Sequence, residues 1–150
     1  MGTSYEPNYY SSYSPVFMLR SEMEQNVKLE GPKTILKPGK IYIKDHLIFI
    51  NEKYRGVHVI DNTNPEDPTN FAFINIDGCI DISIKDKVLY ADNAVDLLAI
   101  FLNDDMTEIH VSQRIRNVFP EMLSPDGYEL NWQEKQARPE KTILVRWDKK

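Results

Sequence analysis

The sequence predicts an all-β protein, built as two four-stranded antiparallel sheets with a short helix ahead of them. Three observations carry the prediction. Four runs of strand length, rich in β-branched and aromatic residues, follow one another between residues 40 and 76: KIYIK, LIFIN, VHVID and FAFINI. The pattern then returns 41 residues on, with Lys44-Asp45 falling on Lys85-Asp86, Ile41 and Ile43 on Ile82 and Ile84, and Ile48-Phe49 on Leu89-Tyr90. Val57 falls on Leu98, Val59 on Ile100 and Ile74 on Ile115 in the same register, without a gap. Finally, LIFIN, FAFINI and LLAIFL carry apolar residues at successive positions. Successive strand residues point to opposite faces, so these sheets must be covered on both. A 41-residue unit of four short strands, stacked face to face with its neighbours, matches one blade of a β-propeller.

Taken in order, residues 1–18 are rich in Tyr and Ser, carry Pro7 and Pro15, show no period, and read as a flexible leader. Residues 19–38 read as a short helix and linker. Ser21 and Glu24 stand at capping-box spacing, Met23, Val27 and Leu29 form a sparse apolar stripe, and Gly31-Pro32 stops the helix. Residues 39–117 hold the two repeats, 39–77 and 78–117, their strands separated by Asp/Asn/Pro/Gly turns such as DNTNPEDP. Residues 118–150 turn polar, with Pro125-Asp126-Gly127 as a turn and TILVRW (142–147) as the one strand. That strand suits either the opening of a third blade or the edge of an existing sheet.

GVHVIDNTNPEDPTNFAFINIDG resembles the LVIVD repeat, a bacterial β-propeller-like repeat centred on a Leu-Val-Ile-Val-Asp strand followed by an Asn/Asp-Pro turn. Val57–Asp61 match the motif strand and Asn64-Pro65 the turn. The second copy, LLAIFLNDD, keeps the apolar strand, lacks the proline and has Leu102 where the motif has Asp. PVFM, FINEK and RIRNVFP are similar to the flanks of that family, so the resemblance spans roughly residues 15–120. It implies a protein of the cell envelope or surface, often a lipoprotein, with no assigned molecular activity. A closed ring needs about four to eight blades. Two repeats imply a piece of a longer propeller, or a chain that associates with itself or with the remaining blades.

Composition narrows the function classes. At 41% hydrophobic and 27% charged the chain is globular, and a net charge of −5 without a basic cluster argues against nucleic acid as a partner. No apolar run approaches the roughly 18 residues of a membrane-spanning helix. The N-terminal residues, as given, have neither the basic nor the apolar region of a signal peptide. Cys79 stands alone beside Asp81, which suits a small buried residue better than a reactive thiol.

Candidate sites are few. Asp81, Asp86, Asp92, Asn93 and Asp96 gather in the second repeat, and pairing of strands 80–84 and 88–91 would bring Asp81 and Asp92 together at one rim. Hard oxygen ligands of this kind suit Ca²⁺, although Asp, Asn and turn chemistry also go together. In the first repeat, Tyr54 and Arg55 sit in the loop NEKYRG, and an exposed Tyr–Arg pair is suited to anchoring a protein or glycan partner. His46, His58 and His110 have no metal-ligand spacing, and no serine lies in a nucleophile elbow. The leading expectation is a non-enzymatic binding or scaffold module without an organic cofactor. The alternative is part of a propeller-type hydrolase or metal enzyme whose site absent blades complete.

Overall fold

The computed structural model describes residues 10–150, and these are mostly β. Their elements are β1 (Tyr13–Leu19), α1 (Arg20–Gln25), β2 (Lys28–Glu30), β3 (Pro38–Lys44), β4 (Leu47–Glu52), β5 (Gly56–Asp61) and β6 (Thr69–Asn75). Then come β7 (Ile82–Lys85), β8 (Val88–Asn93), β9 (Asp96–Leu102), β10 (Ile109–Ile115), α2 (Trp132–Ala137) and β11 (Thr142–Lys149). Every paired strand is antiparallel. Sheet 1 has the order β2-β6-β5-β4-β3, sheet 2 the order β10-β9-β8-β7, and β1 and β11 form a separate ribbon.

The two sheets repeat each other in detail. Asp45 and Asp86 take left-handed backbone angles (φ 54° and 55°) in two-residue turns that join β3 to β4 and β7 to β8. Short polar residues such as Asp tolerate that conformation because the side chain can bond locally. Both outer hairpins also slip register at one place: Phe71 is skipped between the partners of Val59 and Ile60, and Ser112 between those of Ile100 and Ala99.

The repeat is not gapless, however. Three residues (53–55) join β4 to β5, but only Ala94 and Val95 join β8 to β9. The pair Leu47–Asp61 therefore becomes Val88–Phe101, so β4 and β8 stand 41 residues apart and β5 and β9 stand 40. Val57 corresponds to Leu97, not Leu98. A one-residue slip moves a strand's whole set of side chains to the other face.

That slip explains how the sheets pack. The core between them takes Tyr42, Leu47, Phe49, Val57, Val59 and Ile74 from sheet 1, and Ile82, Ile84, Leu89, Ala91, Leu98 and Ile100 from sheet 2. Phe49 corresponds to Tyr90, which points the other way, while Ile48 corresponds to the core residue Leu89. Naming the Phe49 side of each repeat face A and the Ile48 side face B, face A of sheet 1 packs on face B of sheet 2. The sheets thus stack head to tail, face A on face B, and approach most closely at β3 and β7.

Several expectations need correction. Lys28–Glu30, read as helix, is strand β2 on the edge of β6, which makes sheet 1 five-stranded. The apolar Leu29 seen as a helical stripe packs instead into the inter-sheet core. Ser21 does not cap α1; the N-cap is Leu19, without a side-chain bond, and Glu24 is engaged with Arg116. A true capping box sits at Asn131 and Glu134, where residues 118–150 were expected to hold no helix. The leader expectation for residues 1–9 lies outside the described residues, but Tyr13–Leu19 are strand β1. They pair along their length with β11, so TILVRW joins neither sheet. Both faces of this ribbon are covered: Leu144 and Trp147 pack with Tyr54 and Leu130, and Val145 with Met23 and Ala94.

Candidate functional site

The outer surface of sheet 2, its face A, carries an apolar groove of about 470 Å³. Tyr90, Leu97, Ile80, Asp81 and Ser83 line it from sheet 2, and the irregular segment Phe119–Leu123 forms its wall. The wall stands where it does because Val118 and Phe119 both donate backbone N–H bonds to Val95 O in the β8–β9 turn. Ile80, Tyr90, Phe119 and Leu123 are each exposed large apolar residues. A concave, mostly apolar surface with a few polar groups is the form binding sites take.

Asp92 lies at one end of this groove. Its Oδ1 accepts the backbone N–H groups of Ile80 and Asp81, both at 2.9 Å, and so closes the turn that leads into β7. Burial pushes its carboxyl above the usual aspartate range, against the pull of these backbone donors. Asp81 is exposed; its side chain accepts from Ile82 N and meets Lys40 Nζ at 3.2 Å. The two carboxylates are neighbours as expected, but each is committed to local backbone. Among the described residues no group of three or more His, Cys, Asp or Glu is placed to hold a metal ion.

Asn93 and Asp96 belong to a different cluster. Asp96 is fully buried and accepts from Arg20 (2.7 and 3.2 Å), Arg114 (2.7 Å) and the Asn117 N–H (3.0 Å). Burial alone would raise its carboxyl, but Arg20, the Asn117 amide and Arg114 together hold it below the usual value. Asn93 accepts from Arg114 and donates to Asp77 O. Glu24 joins the same network through Arg116, Arg114 and Arg20. Two arginines on one carboxylate leave no free negative charge to attract Ca²⁺. This cluster ties α1 to sheet 2.

Tyr54 and Arg55 part company as well. Tyr54 is buried under the β1–β11 ribbon with Leu130, Leu144 and Trp147, and takes a left-handed backbone (φ 65°). Burial pushes its phenol up, helped by nearby Tyr13 and Asp148. It is a packing residue in this chain, and only Arg55 is exposed. Asn64 and Asp61 accept from Glu66 N and Thr63 N, as turn residues do.

A second buried polar group fits the sequence reading of His58 as a satisfied histidine within an apolar strand, and supplies the partner which that reading did not name. His58 and Glu52 meet on face B of sheet 1 (Nε2 to Oε1, 2.9 Å), with His58 fully buried beside Phe73. Glu52 also accepts the backbone N–H groups of Leu36 and Lys37. Burial would raise Glu52, but these three donors hold it low. Segment 31–37, which runs from β2 to β3, is thereby strapped across the sheet. The signal in the sequence was Glu52 and His58 in runs that are otherwise apolar, where a charge must find a partner.

Among the described residues no helix is long and apolar enough to cross a membrane. No known family model, curated protein or solved structure matches this chain.

Proposed function

We propose that this chain is a non-enzymatic protein-binding module, a pair of propeller-type blades of the LVIVD-like kind that works at a bacterial cell surface or envelope. The observation that carries the reading is the groove on face A of sheet 2, where the exposed apolar side chains of Ile80, Phe119 and Leu123 accompany Tyr90 and Leu97. Aromatic anchors at the centre of a desolvated patch supply most of the binding energy in protein interfaces. The head-to-tail stacking of repeats and the motif strand Val57–Asp61 support the blade reading, and the envelope location rests on that resemblance. The polar side chains of the lining are Asp81, Ser83, Asp92 and Glu121, and Asp81 and Asp92 are already engaged with local backbone, which leaves few hydrogen-bonding groups for a glycan.

The test is direct. A random peptide library screened against the purified chain should yield apolar or aromatic peptides that Tyr90→Glu no longer binds. Selection of no peptide at all, or of peptides that bind Tyr90→Glu equally well, would sink the reading.

A further inference from the structure

Face B of sheet 1 is a ladder of five isoleucines. Ile41 pairs across the strands with Ile50, Ile43 with Ile48, and Ile48 in turn with Ile60. Their counterparts in sheet 2 are Ile82, Ala91, Ile84, Leu89 and Ile100, all of them in the inter-sheet core. The contrast is large: Ile82 is 2% exposed and Ile41 57%, while Ile43 stands 71% exposed on the open side. Strap 31–37 crosses the His58 and Phe73 end of this face and reaches Asn70 opposite Ile60, which is buried. Ile48 and Ile50 are half-buried, Ile41 and Ile43 exposed, and Leu36 adds an exposed residue to the rim.

Face A of sheet 2 shows the reverse relation. Phe49, Val57 and Ile74 are buried in the core, at 1% exposure or less, and their counterparts are Tyr90, Leu97 and Ile115. Tyr90 and Ile115 are exposed, Leu97 is half-buried, and Phe101 and Val88 continue the apolar surface beside them. Thus the molecule contains one A-on-B interface and presents one open B face and one open A face, each built from the same positions as its covered counterpart.

We infer that the partner of these faces is a second copy of this chain, joined head to tail, with face B of sheet 1 from one copy seated on face A of sheet 2 of the next. The inference rests on the protein-binding reading of the groove and names its occupant. The internal interface supplies the template. Across it Lys40 meets Asp81, and these are equivalent positions 41 residues apart. In the continued stack Asp81, which is 69% exposed, faces Lys40 of the next copy, so charge as well as shape repeats. Such an interface is heterologous: the two patches differ, so growth ends only when the ring closes. The close approach at β3 and β7 makes each step a wedge, and a wedge curves the stack toward closure. With about four to eight sheets to a ring, closure takes roughly two to four copies.

Heterologous geometry has a signature that no two-fold interface shares. Ile43→Glu spoils only the B face and Phe101→Glu only the A face, and both residues are exposed enough for the fold to tolerate a charge. Neither touches Tyr90. Sedimentation of the unaltered chain up to a few hundred micromolar should show reversible association. Each variant alone should be monomeric, and an equimolar mixture should form a dimer and nothing larger, because one good A face and one good B face remain. A monomeric unaltered chain overturns the inference. So does a mixture that stays monomeric, or a Phe101→Glu variant that still self-associates, which would mean B faces pairing with each other. Ile43→Ser and Phe101→Ser replace any glutamate variant whose circular dichroism shows unfolding. If the chain is monomeric yet selected peptides still occupy the groove, only the self-pairing fails; if neither occurs, the protein-binding reading falls with it.

Discussion

Tyr42 and Ser83 occupy the same place in the two repeats, and they touch: Tyr42 Oη lies 3.4 Å from Ser83 Oγ. Equivalent residues meet here because β3 and β7 are the strands at which the two sheets come closest. The repeats differ in the turns at 53–55 and 94–95, in the register shift between Pro38 and Ile41 that β7 lacks, and in β2, which only sheet 1 has.

Asp96 is the residue on which the second repeat and helix α1 both depend. Asp96→Asn leaves Arg20 and Arg114 with only the more distant, partly exposed Glu24 as counter-charge, and removal of one partner of a buried pair costs about 3–5 kcal/mol. Urea unfolding should show that loss as a lower midpoint with an unchanged slope. A change below about 0.5 kcal/mol, the range of ordinary surface substitutions, would mean that solvent already screens the pair.

Acid should unfold the protein through the same carboxylates. Asp96 and Glu52 have folded values below their unfolded ones, so their contribution is complete above about pH 5 and fades as pH falls through the folded values. Asp126, exposed and held at about 2 by Ser11 and Ser124, follows last in that descent. Asp92 has the opposite sign: its raised value favours folding when protonated and weakens it as pH rises. Asp92→Asn should therefore be neutral or slightly stabilising at pH 7, since the amide oxygen still accepts from Ile80 and Asp81. Thermal melts of the Asp92→Asn and Asp96→Asn variants at pH 7 should move in different directions.

Gly56 and Gly78 hold the corner where the repeats join. Gly56 has φ 145°, and a Cβ there would overlap the carbonyl oxygen of Ile74; Gly78 has φ 77°, and its Cβ would stand 2.8 Å from Ala94. In neither case can the obstacle swing aside. Alanine at either position should cost about 1–3 kcal/mol from backbone strain, plus the displacement of its neighbour. Equal stability of Gly56→Ala and the unaltered chain would show the corner to be loose.

Strap 31–37 hangs on Glu52. In Glu52→Ala the amides of Leu36 and Lys37 lose their acceptor and His58 loses its partner. Trypsin should then cut after Lys33 much faster than in the unaltered chain, before global unfolding. Cleavage at an unchanged rate would show that Asn70, which donates to Lys33 O, holds the strap by itself.

Cys79 is fully buried, and burial raises its thiol well above the usual range. Thiol reagents should react only at the rate of unfolding. Rapid modification of the native chain would place an opening motion at the junction of the repeats.

Much of this architecture was legible because it depends on local signals. The Asp45 and Asp86 turns, the doubly apolar strands and the 41-residue period all lie in neighbouring residues. Leu97-Leu98-Ala99-Ile100 defeated the reading of β9 because every position is apolar. No alternation remained to show that the shorter turn had exchanged the faces. β1 was hidden for another reason: Pro15 and the surrounding Ser and Tyr look like a leader until β11 is placed beside them, about 130 residues later. Tyr54 was read as exposed because its loop is polar, and only the ribbon buries it. Arg20 and Arg114 could have been suspected, since Arg114 interrupts a strand opposite Leu98.

The pairing of β1 with β11 also sets a timetable. β1 leaves the ribosome well before its partner, which begins at Thr142. At about 5–20 residues per second, β1 waits roughly 6–25 s with Val16, Phe17 and Met18 uncovered. Both sheets can form in that interval, since their contacts lie within residues 28–115. The nascent chain therefore passes through a state with finished sheets and a bare apolar strand, the kind of segment that chaperones hold, and the ribbon closes only after both sheets have been made.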